Sequence, residues 1–185
     1  MNAFVYNGLP SRVVFGSGTL ASLPAELAAL RCSRALVLAT PQQQVQAVAI
    51  LSHLGDLGVG IFANATMHTP VEVTEAAMKV VTELDADCTI AIGGGSTIGL
   101  GKAIALRTDL PQIAIPTTYA GSEMTPIIGE TQQGIKTTQR TLKVLPETVI
   151  YDVELTTSLP PAMSGTSGIN AIAHAVEALY AKDQN

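Results

Sequence analysis

The strongest indication of the fold is the stretch Cys88-Thr89-Ile90-Ala91-Ile92-Gly93-Gly94-Gly95-Ser96. Its first five residues are a short, mostly apolar run typical of a buried strand. The three glycines that follow let the backbone turn tightly and approach an anion without interference from a Cβ atom. A helix that begins at this turn presents free N–H groups and its positive dipole end to a phosphate. The stretch therefore predicts a phosphate-binding turn between strand and helix; the alternative is a tight turn that needs glycine for its geometry alone.

The spacing around this turn excludes two common phosphate motifs. A Walker A motif ending at Gly101-Lys102 would need glycine at Ser96, and Ser or Thr where Ala103 stands. In the dinucleotide motif Gly-x-Gly-x-x-Gly, counted from Gly93, the third glycine falls on Ile98. A P-loop NTPase and an ordinary Rossmann dehydrogenase are therefore both disfavoured.

Outward from the turn, short apolar runs alternate with longer helical runs. Strands are predicted at 35–39, 60–63, 88–92 and 112–115, and helices at 19–30, 42–54, 71–84 and from the glycine turn to about 107. Strands that are apolar on both faces and separated by helices indicate a parallel sheet covered on both sides. The predicted fold is α/β, a Rossmann-like, doubly wound and mostly parallel sheet. Residues 4–6 and 12–15 alternate like an edge hairpin, and 136–138 and 148–151 are predicted to be extended segments around a loop.

The pattern changes near the end of the sequence. The run 158–161, Ser-Leu-Pro-Pro, interrupts it, and residues 171–181 then read as a strong helix. We predict one domain over 1–157 and the beginning of a second over 158–185.

Composition narrows the class of protein. The 185 residues include 10 basic and 15 acidic side chains, so the formal net charge is −5. Only 4% of residues are aromatic and none is Trp, which argues against a nucleic-acid partner. No apolar run reaches the roughly 18 residues of a membrane span, and residues 1–4 lack the features of a signal peptide. Cys32 and Cys88 are most simply reduced and structural, so we predict a soluble cytoplasmic protein.

A second polar loop follows the next predicted strand. Hydroxyl side chains are concentrated within nine residues around a glycine, at Thr117, Thr118, Tyr119, Ser122 and Thr125. The carboxyl ends of parallel strands meet at one sheet edge, so this loop is expected beside the glycine turn and in contact with a ligand. The alternative is an ordinary hydrophilic turn.

Two further groups of residues are candidates. Lys136, Arg140 and Lys143 concentrate positive charge that could receive an anionic substrate or cofactor phosphates, or simply face solvent. Asn170 and His174 are four residues apart, which places them on one helix face. An Asn amide is a weak metal ligand, and a lone histidine is more often hydrogen-bonded in a core than bound to metal.

Together these residues resemble the iron-containing, or group III, alcohol dehydrogenase superfamily over the whole chain. Within it the sequence is most similar to the maleylacetate reductases. The similarity is carried by 93–102, Gly-Gly-Gly-Ser-Thr-Ile-Gly-Leu-Gly-Lys, by 118–126, Thr-Tyr-Ala-Gly-Ser-Glu-Met-Thr-Pro, and by the helix 167–178. The resemblance implies NAD(P)H-dependent reduction of maleylacetate to 3-oxoadipate during the breakdown of aromatic compounds. It also implies a small dicarboxylate substrate and a homodimer built through N-terminal edge strands. The same resemblance implies that residues 1–157 are an NAD(P)-binding domain and that 158–185 are the first helix of a truncated, all-helical catalytic C-terminal domain.

Two positions depart from the metal-dependent members of that superfamily. Those enzymes have Asp where Gly99 stands, and Asp rather than Asn170 four residues before His174. Because losing the carboxylate removes a hard anionic ligand for Fe²⁺ or Zn²⁺, no metal is expected. This departure also argues against a dehydroquinate-synthase-like lyase. A metal-dependent alcohol or polyol dehydrogenase and a non-catalytic nucleotide-binding fragment remain alternatives.

The resemblance also assigns roles to individual residues. Gly93, Gly94, Gly95 and Ser96 are expected to hold the pyrophosphate, and Thr117, Thr118, Ser122 and Thr125 to line the nicotinamide and ribose. Asn170 and His174 are expected to face the substrate, with Lys136 as a third catalytic candidate. Thr40 ends the strand where an acidic residue would grip the adenosine ribose, and glutamines follow it. NADH is the expected cofactor, and NADPH is not excluded by charge.

Overall fold

The computed structural model describes residues 8–181. In chain order the strands are β1 (Arg12–Gly16), β2 (Ala35–Leu38), β3 (Gly58–Phe62), β4 (Cys88–Gly93), β5 (Gln112–Pro116), β6 (Ile127–Gln132), β7 (Ile135–Arg140) and β8 (Thr148–Asp152). The α-helices are α1 (Leu23–Leu30), α2 (Gln44–Leu54), α3 (Val71–Glu83), α4 (Gly95–Thr108) and α5 (Pro161–Ala178). Short 3₁₀ turns connect several of these elements.

Six of the strands form one parallel sheet in the order β1-β8-β5-β4-β2-β3. The chain leaves β2 toward one edge and later leaves β4 toward the other, so the strand order reverses between β2 and β4. In open α/β sheets, ligands bind at the carboxyl ends of the strands at such a reversal. The predicted Rossmann-like α/β fold is confirmed.

Helices cover both faces of the sheet. On one face, Leu27 of α1 and Ile50 of α2 pack against central strand residues such as Ile90. On the other face, Val81 of α3 and Ile104 of α4 pack against β2 and β4. Because the strands are buried on both sides, they are apolar throughout rather than alternating.

The N-terminal and late extended segments differ in part from their prediction. Residues 12–15 do form an edge strand, but it pairs in parallel with β8, and residues 4–6 lie outside the described part of the chain. Residues 148–151 belong to β8, which inserts into the main sheet between β5 and β1. Residues 136–138 lie in β7, which forms a separate antiparallel hairpin with β6. The two predicted extended segments therefore belong to different sheets.

The last described helix stands apart from the cores. None of the residues of α5 is buried, and its exposed apolar side chains include Ile169, Ile172 and Val176. The boundary at 157/158 stays a prediction, and it falls between β8 and α5. Within residues 8–181, no helix is long and apolar enough to cross a membrane.

Candidate functional site

The carboxyl ends of three neighbouring strands bring the predicted residues together. Thr40 follows β2, Gly93 ends β4, and Thr117 follows β5. The Thr117 N–H donates to the Gly93 carbonyl at 3.0 Å. Gly93 pairs with Pro116 in the sheet, so the glycine turn and the polar loop begin side by side.

The three consecutive glycines meet different surroundings. Gly93 has φ +148°, and a Cβ there would lie 2.5 Å from Gln43 Oε1 and 2.6 Å from Thr97 Oγ1. A Cβ on Gly94 would lie 3.1 Å from the Thr118 side chain, whereas one on Gly95 would meet nothing within 4 Å. Gly93 is therefore required by the turn itself, and Gly95 borders open space where a ligand can approach the backbone.

The start of α4 has the properties of an anion site. The N–H groups of Thr97 and Ile98 donate to the Gly94 carbonyl, at 3.1 and 3.2 Å. The N–H groups of Gly95 and Ser96 precede the first possible acceptor inside the helix and remain available to a ligand. Because α4 has 14 residues, its dipole adds to this attraction for negative charge.

A cavity of about 200 Å³ lies against this helix start. The glycine turn, the polar loop, the hairpin and the loop before α3 all contribute to its lining, through His68, Gly95, Ser96, Gly99, Lys102, Ser122, Ile127, Ile128, Gly129 and Lys136. Two lysines thus border a space that begins at a helix N-terminus. The structure therefore places Lys136 beside Gly95, Ser96 and Ser122.

Lys102 is the most constrained of these side chains. It is 1% exposed, and its ammonium donates to the carbonyls of Ser122, Thr125 and Ile127 at 2.5, 2.7 and 2.9 Å. Burial lowers the pKa of Lys102 to about 8, although the nearby Glu123 carboxylate favours its charged form. This lysine fixes the polar loop to α4. Lys102 ends the stretch 93–102 that carries the family resemblance, but its position in the sequence predicted no role for it.

A hydrogen-bonded chain crosses the strand ends above the glycine turn. The Thr40 hydroxyl donates to Gln43 Oε1 at 3.1 Å, and Gln43 Nε2 donates to the Thr117 hydroxyl at 2.9 Å. Thr40 and Thr117 are thereby connected through Gln43. The sequence analysis missed Gln43, because nothing in the sequence shows that its side chain spans two loops.

The other hydroxyls of the polar loop point in different directions. Thr125 Oγ1 donates to the Ser122 carbonyl at 3.0 Å and lies 3.2 Å from the Lys102 ammonium. Thr118 lies against Gly94 and lines a second cavity of about 430 Å³. Buried Glu123 lines the same cavity and accepts a hydrogen bond from the Tyr151 hydroxyl at 2.8 Å. Burial, with added effects from Glu123, raises the pKa of Tyr151.

The three clustered basic residues separate in the structure. Lys136 and Arg140 are both exposed on β7, and of the two only Lys136 lines the cavity. Lys143 forms an exposed ion pair with Asp109 at 3.5 Å. Of the two interpretations, the ligand contact suits Lys136 and the solvated surface suits the other two.

Asn170 and His174 lie on α5 and are exposed. His174 Nδ1 is 3.6 Å from Glu177 Oε2 one turn later. The Tyr119 N–H donates to the Ser167 hydroxyl at 3.2 Å, which joins α5 to the polar loop. Among residues 8–181, no hydrogen bond or ion pair connects Asn170 or His174 to the glycine turn.

On this helix the candidate metal ligands are one imidazole, His174, and one amide, Asn170. An amide is a weaker ligand for iron than a carboxylate, so these two side chains alone are a weak donor set. A side chain at Gly99 would collide with the Thr69 hydroxyl, and Thr69 is buried with φ +46°. A carboxylate at position 99 would therefore require the Thr69 side chain to move.

Known proteins share the sequence that forms this site. The sequence model of the iron-containing alcohol dehydrogenases matches residues 10–153, most of the chain. The chain belongs to the iron-containing alcohol dehydrogenase family. The match covers the glycine turn, the polar loop and every strand of the sheet.

Curated relatives within this family are maleylacetate reductases. The protein from Rhizobium sp. (strain MTP-10005) is 58% identical over the whole chain, and that from Sphingobium indicum is 58% identical over 98% of it. The chain spans about half the length of these relatives, 53% and 51%. A solved maleylacetate reductase from Agrobacterium tumefaciens is 59% identical, with a TM-score of 0.97 over the whole chain and 53% of that protein.

A more distant solved structure shares the fold. A sulfoacetaldehyde reductase from Bifidobacterium kashiwanohense, solved in complex with NAD⁺, is 22% identical with a TM-score of 0.89. The match covers 97% of this chain and 55% of that protein. At this identity the likeness concerns the sheet and its helices alone.

Proposed function

We propose that this chain is the cofactor-binding part of an NAD(P)H-dependent maleylacetate reductase. The observation that carries the proposal is the cavity lined by both the glycine turn and Lys136. It lies in a chain that is 58% identical, over all of its own 185 residues, to a maleylacetate reductase. The reaction reduces maleylacetate to 3-oxoadipate by adding a hydride and a proton. The substrate is a small dicarboxylate, which suits a cleft bordered by ammonium groups.

The cofactor diphosphate is proposed to bind at the start of α4. Gly94, Gly95 and Ser96 would offer backbone N–H groups, and Lys136 would add positive charge from the opposite wall. Thr117, Thr118, Ser122 and Thr125 would border the ribose and nicotinamide. The open space beside Gly95 and the 200 Å³ cavity support this placement. When bound, the nicotinamide supplies the hydride.

NADH is the proposed cofactor. Thr40 and Gln43 occupy the loop after β2, where the adenosine ribose of dinucleotides commonly lies. Their hydroxyl and amide can hydrogen-bond a ribose diol, and neither provides the positive charge that a 2′-phosphate prefers. Competing titrations of the two cofactors test this: equal or tighter binding of NADPH would overturn the preference for NADH.

Catalysis without a metal ion is the second part of the proposal. It rests on the chemistry of Asn170, because an amide is a weak ligand for Fe²⁺ or Zn²⁺. Asn170 and His174 are proposed to face the substrate, with His174 positioned to donate a proton and Lys136 to hold a carboxylate or phosphate. Activity that survives EDTA treatment supports this view. Loss of activity with EDTA, restored by Fe²⁺ or Zn²⁺, would favour a metal-dependent alcohol or polyol dehydrogenase.

Assembly and location are also proposals. The edge strand β1 exposes Val13 and Phe15, at 46% and 73%, and an apolar edge of this kind suits pairing with a second copy in a homodimer. The protein is proposed to act in the cytoplasm. Sedimentation of the chain, and of a variant with Phe15→Lys, tests whether this edge forms the contact.

The activity is tested by joining residues 1–185 to the C-terminal half of the Rhizobium relative. We expect the joined enzyme to oxidise NADH only when maleylacetate is present, and to convert it to 3-oxoadipate. The matched control carries Gly95→Val, which fills the open space beside the turn. Failure to oxidise NADH with maleylacetate, in a folded enzyme that binds NADH, would contradict the substrate. Failure to bind NADH at all would contradict the proposed cofactor site.

A further inference from the structure

A cluster of potential metal ligands lies at the sheet edge opposite the cofactor site. Cys32 lies in the loop between α1 and β2, Cys88 is the first residue of β4, and Asp87 precedes it. One ligand atom of each residue lies within 4.8 Å of the other two. The proposed function uses none of these residues. Cys88 and Gly93 are five positions apart along β4, so the cluster lies about 16 Å from the glycine turn.

We propose that Cys32, Asp87 and Cys88 form a binding site for one thiophilic divalent cation, such as Zn²⁺ or Cd²⁺. The proposal is independent of the reductase activity. Two sulfurs and one carboxylate oxygen are a donor set that these ions accept, with a water molecule in the fourth position.

Two backbone N–H groups hold the Asp87 carboxylate in place, as neighbouring groups usually hold a metal ligand. Its two carboxylate oxygens accept the backbone N–H groups of Arg34 at 2.9 Å and Ser33 at 2.8 Å. Burial alone would raise the pKa of Asp87, but these hydrogen bonds outweigh it and the pKa is lowered. The carboxylate is therefore charged and fixed in orientation, like a metal ligand supported by its neighbours.

The two thiols have only weak partners among the described residues. Cys32 Sγ donates to the Leu30 carbonyl at 3.5 Å and to the Asp87 carbonyl at 3.9 Å. Burial raises the pKa of both thiols, which are 8% and 0% exposed, so they carry their protons when no ion is bound. Binding of one divalent cation would displace both thiol protons and leave a complex of net charge −1 with two thiolates and one carboxylate.

An ion at this site would connect two separate parts of the chain. Ala35 at the start of β2 pairs with Cys88, and Cys32 lies three residues earlier. The ion would therefore tie the α1–β2 loop to the first residue of β4. Because the ligands are brought together only by folding, binding would stabilise the folded chain.

Cadmium titration of the reduced, chelator-washed chain tests this proposal. We expect a cadmium–thiolate charge-transfer band in the ultraviolet that saturates at one Cd²⁺ per chain, with release of two protons. The chain has two cysteines, so the band reports this site alone. Cys32→Ser should weaken binding about tenfold or more. His53→Ala, at a helix that contributes no ligand, should leave binding unchanged.

Three results would overturn the proposal. They are no charge-transfer band in the wild-type chain, a band that saturates far from one equivalent, and unchanged affinity in Cys32→Ser. The first two need no variant, so a Cys32→Ser chain that fails to fold would not prevent a decision. None of these measurements uses NADH or maleylacetate, so their outcome is separate from that of the proposed function.

Discussion

At the scale of single residues, Lys102 connects helix α4 to the polar loop after β5. A buried ammonium is costly unless its protons are hydrogen-bonded, and here three carbonyls of one short segment accept them. The segment from Ser122 to Ile127 contains one short 3₁₀ turn, Ser122–Met124, before β6 begins. Lys102 therefore acts as a positioning residue for the wall of the 200 Å³ cavity.

Replacing Lys102 by Met should destabilise the chain by about 3 kcal/mol, because three buried carbonyls lose a charged donor. Urea unfolding measures this directly. Lys79→Met is the matched control: Lys79 is exposed on α3, and its loss should change stability by less than about 0.5 kcal/mol. Equal unfolding midpoints for the wild type and Lys102→Met would contradict the anchoring role.

The pH dependence of stability gives an independent check on Lys102. Its pKa is about 8 in the folded chain, below the value of about 10.4 expected when unfolded. Between these values the unfolded state binds more protons, so stability contributed by this group rises with pH. The unfolding free energy of the wild type minus that of Lys102→Met should therefore increase from pH 8 to pH 10. A difference that is flat or falls over this range would contradict the lowered pKa.

At the scale of elements, the strand–turn–helix unit from β4 to α4 combines two demands on glycine. Gly93 satisfies the backbone turn, because its φ of +148° and its close neighbours exclude a side chain. Gly95 leaves room for a ligand at the helix start. One run of glycines thus serves both folding and binding, which sequence spacing alone does not separate.

Two alanine substitutions separate these roles. Gly93→Ala should destabilise the fold by about 1–3 kcal/mol, because it forces a strained backbone and a contact with Gln43 and Thr97. Gly95→Ala should leave the unfolding free energy within about 1 kcal/mol of the wild type or raise it. It should nevertheless weaken NADH binding. Calorimetric unfolding and NADH titration of both variants test this, and equal destabilisation by the two would contradict the assignment.

Helix α5 is an element without a packed face. It has 18 residues, none of them buried, whereas α4 is buried along most of its length. Helices in proteins gain most of their stability from packing. Amide protons of α5 should therefore exchange with solvent faster than those of α4, as hydrogen–deuterium exchange would show. Comparable protection in the two helices would mean that α5 is packed against something in solution.

At the scale of the whole molecule, local patterns predicted the elements better than their arrangement. The apolar runs and the glycine turn predicted β2, β4, β5 and the helices. The three strands were predictable because burial on both faces requires an unbroken run of apolar residues. The insertion of β8 between β5 and β1 could not be predicted, since it depends on pairing between residues more than 100 positions apart. Gln43 and Lys102 were missed for the same reason: their partners lie in distant loops.

The site follows the same division. The predicted sheet edge did bring Thr40, Gly93 and Thr117 together, because all parallel strands end at one edge. Lys136, Arg140 and Lys143 lie close together in the sequence. The hairpin of β6 and β7 determines that only Lys136 of the three lines the cavity. Its position against α4 is a matter of packing and could not be derived from the spacing of charges.

A calorimetric titration of NADH into this chain and its Lys136→Met variant tests the proposed cofactor site most directly. We expect one NADH to bind per chain. Binding should be about tenfold weaker in Lys136→Met, because this variant loses one charge-assisted contact. Arg140→Met, on the same strand but outside the cavity, should bind like the wild type. Absence of NADH binding, or identical affinities for the wild type and Lys136→Met, would contradict a cofactor site between the glycine turn and the hairpin.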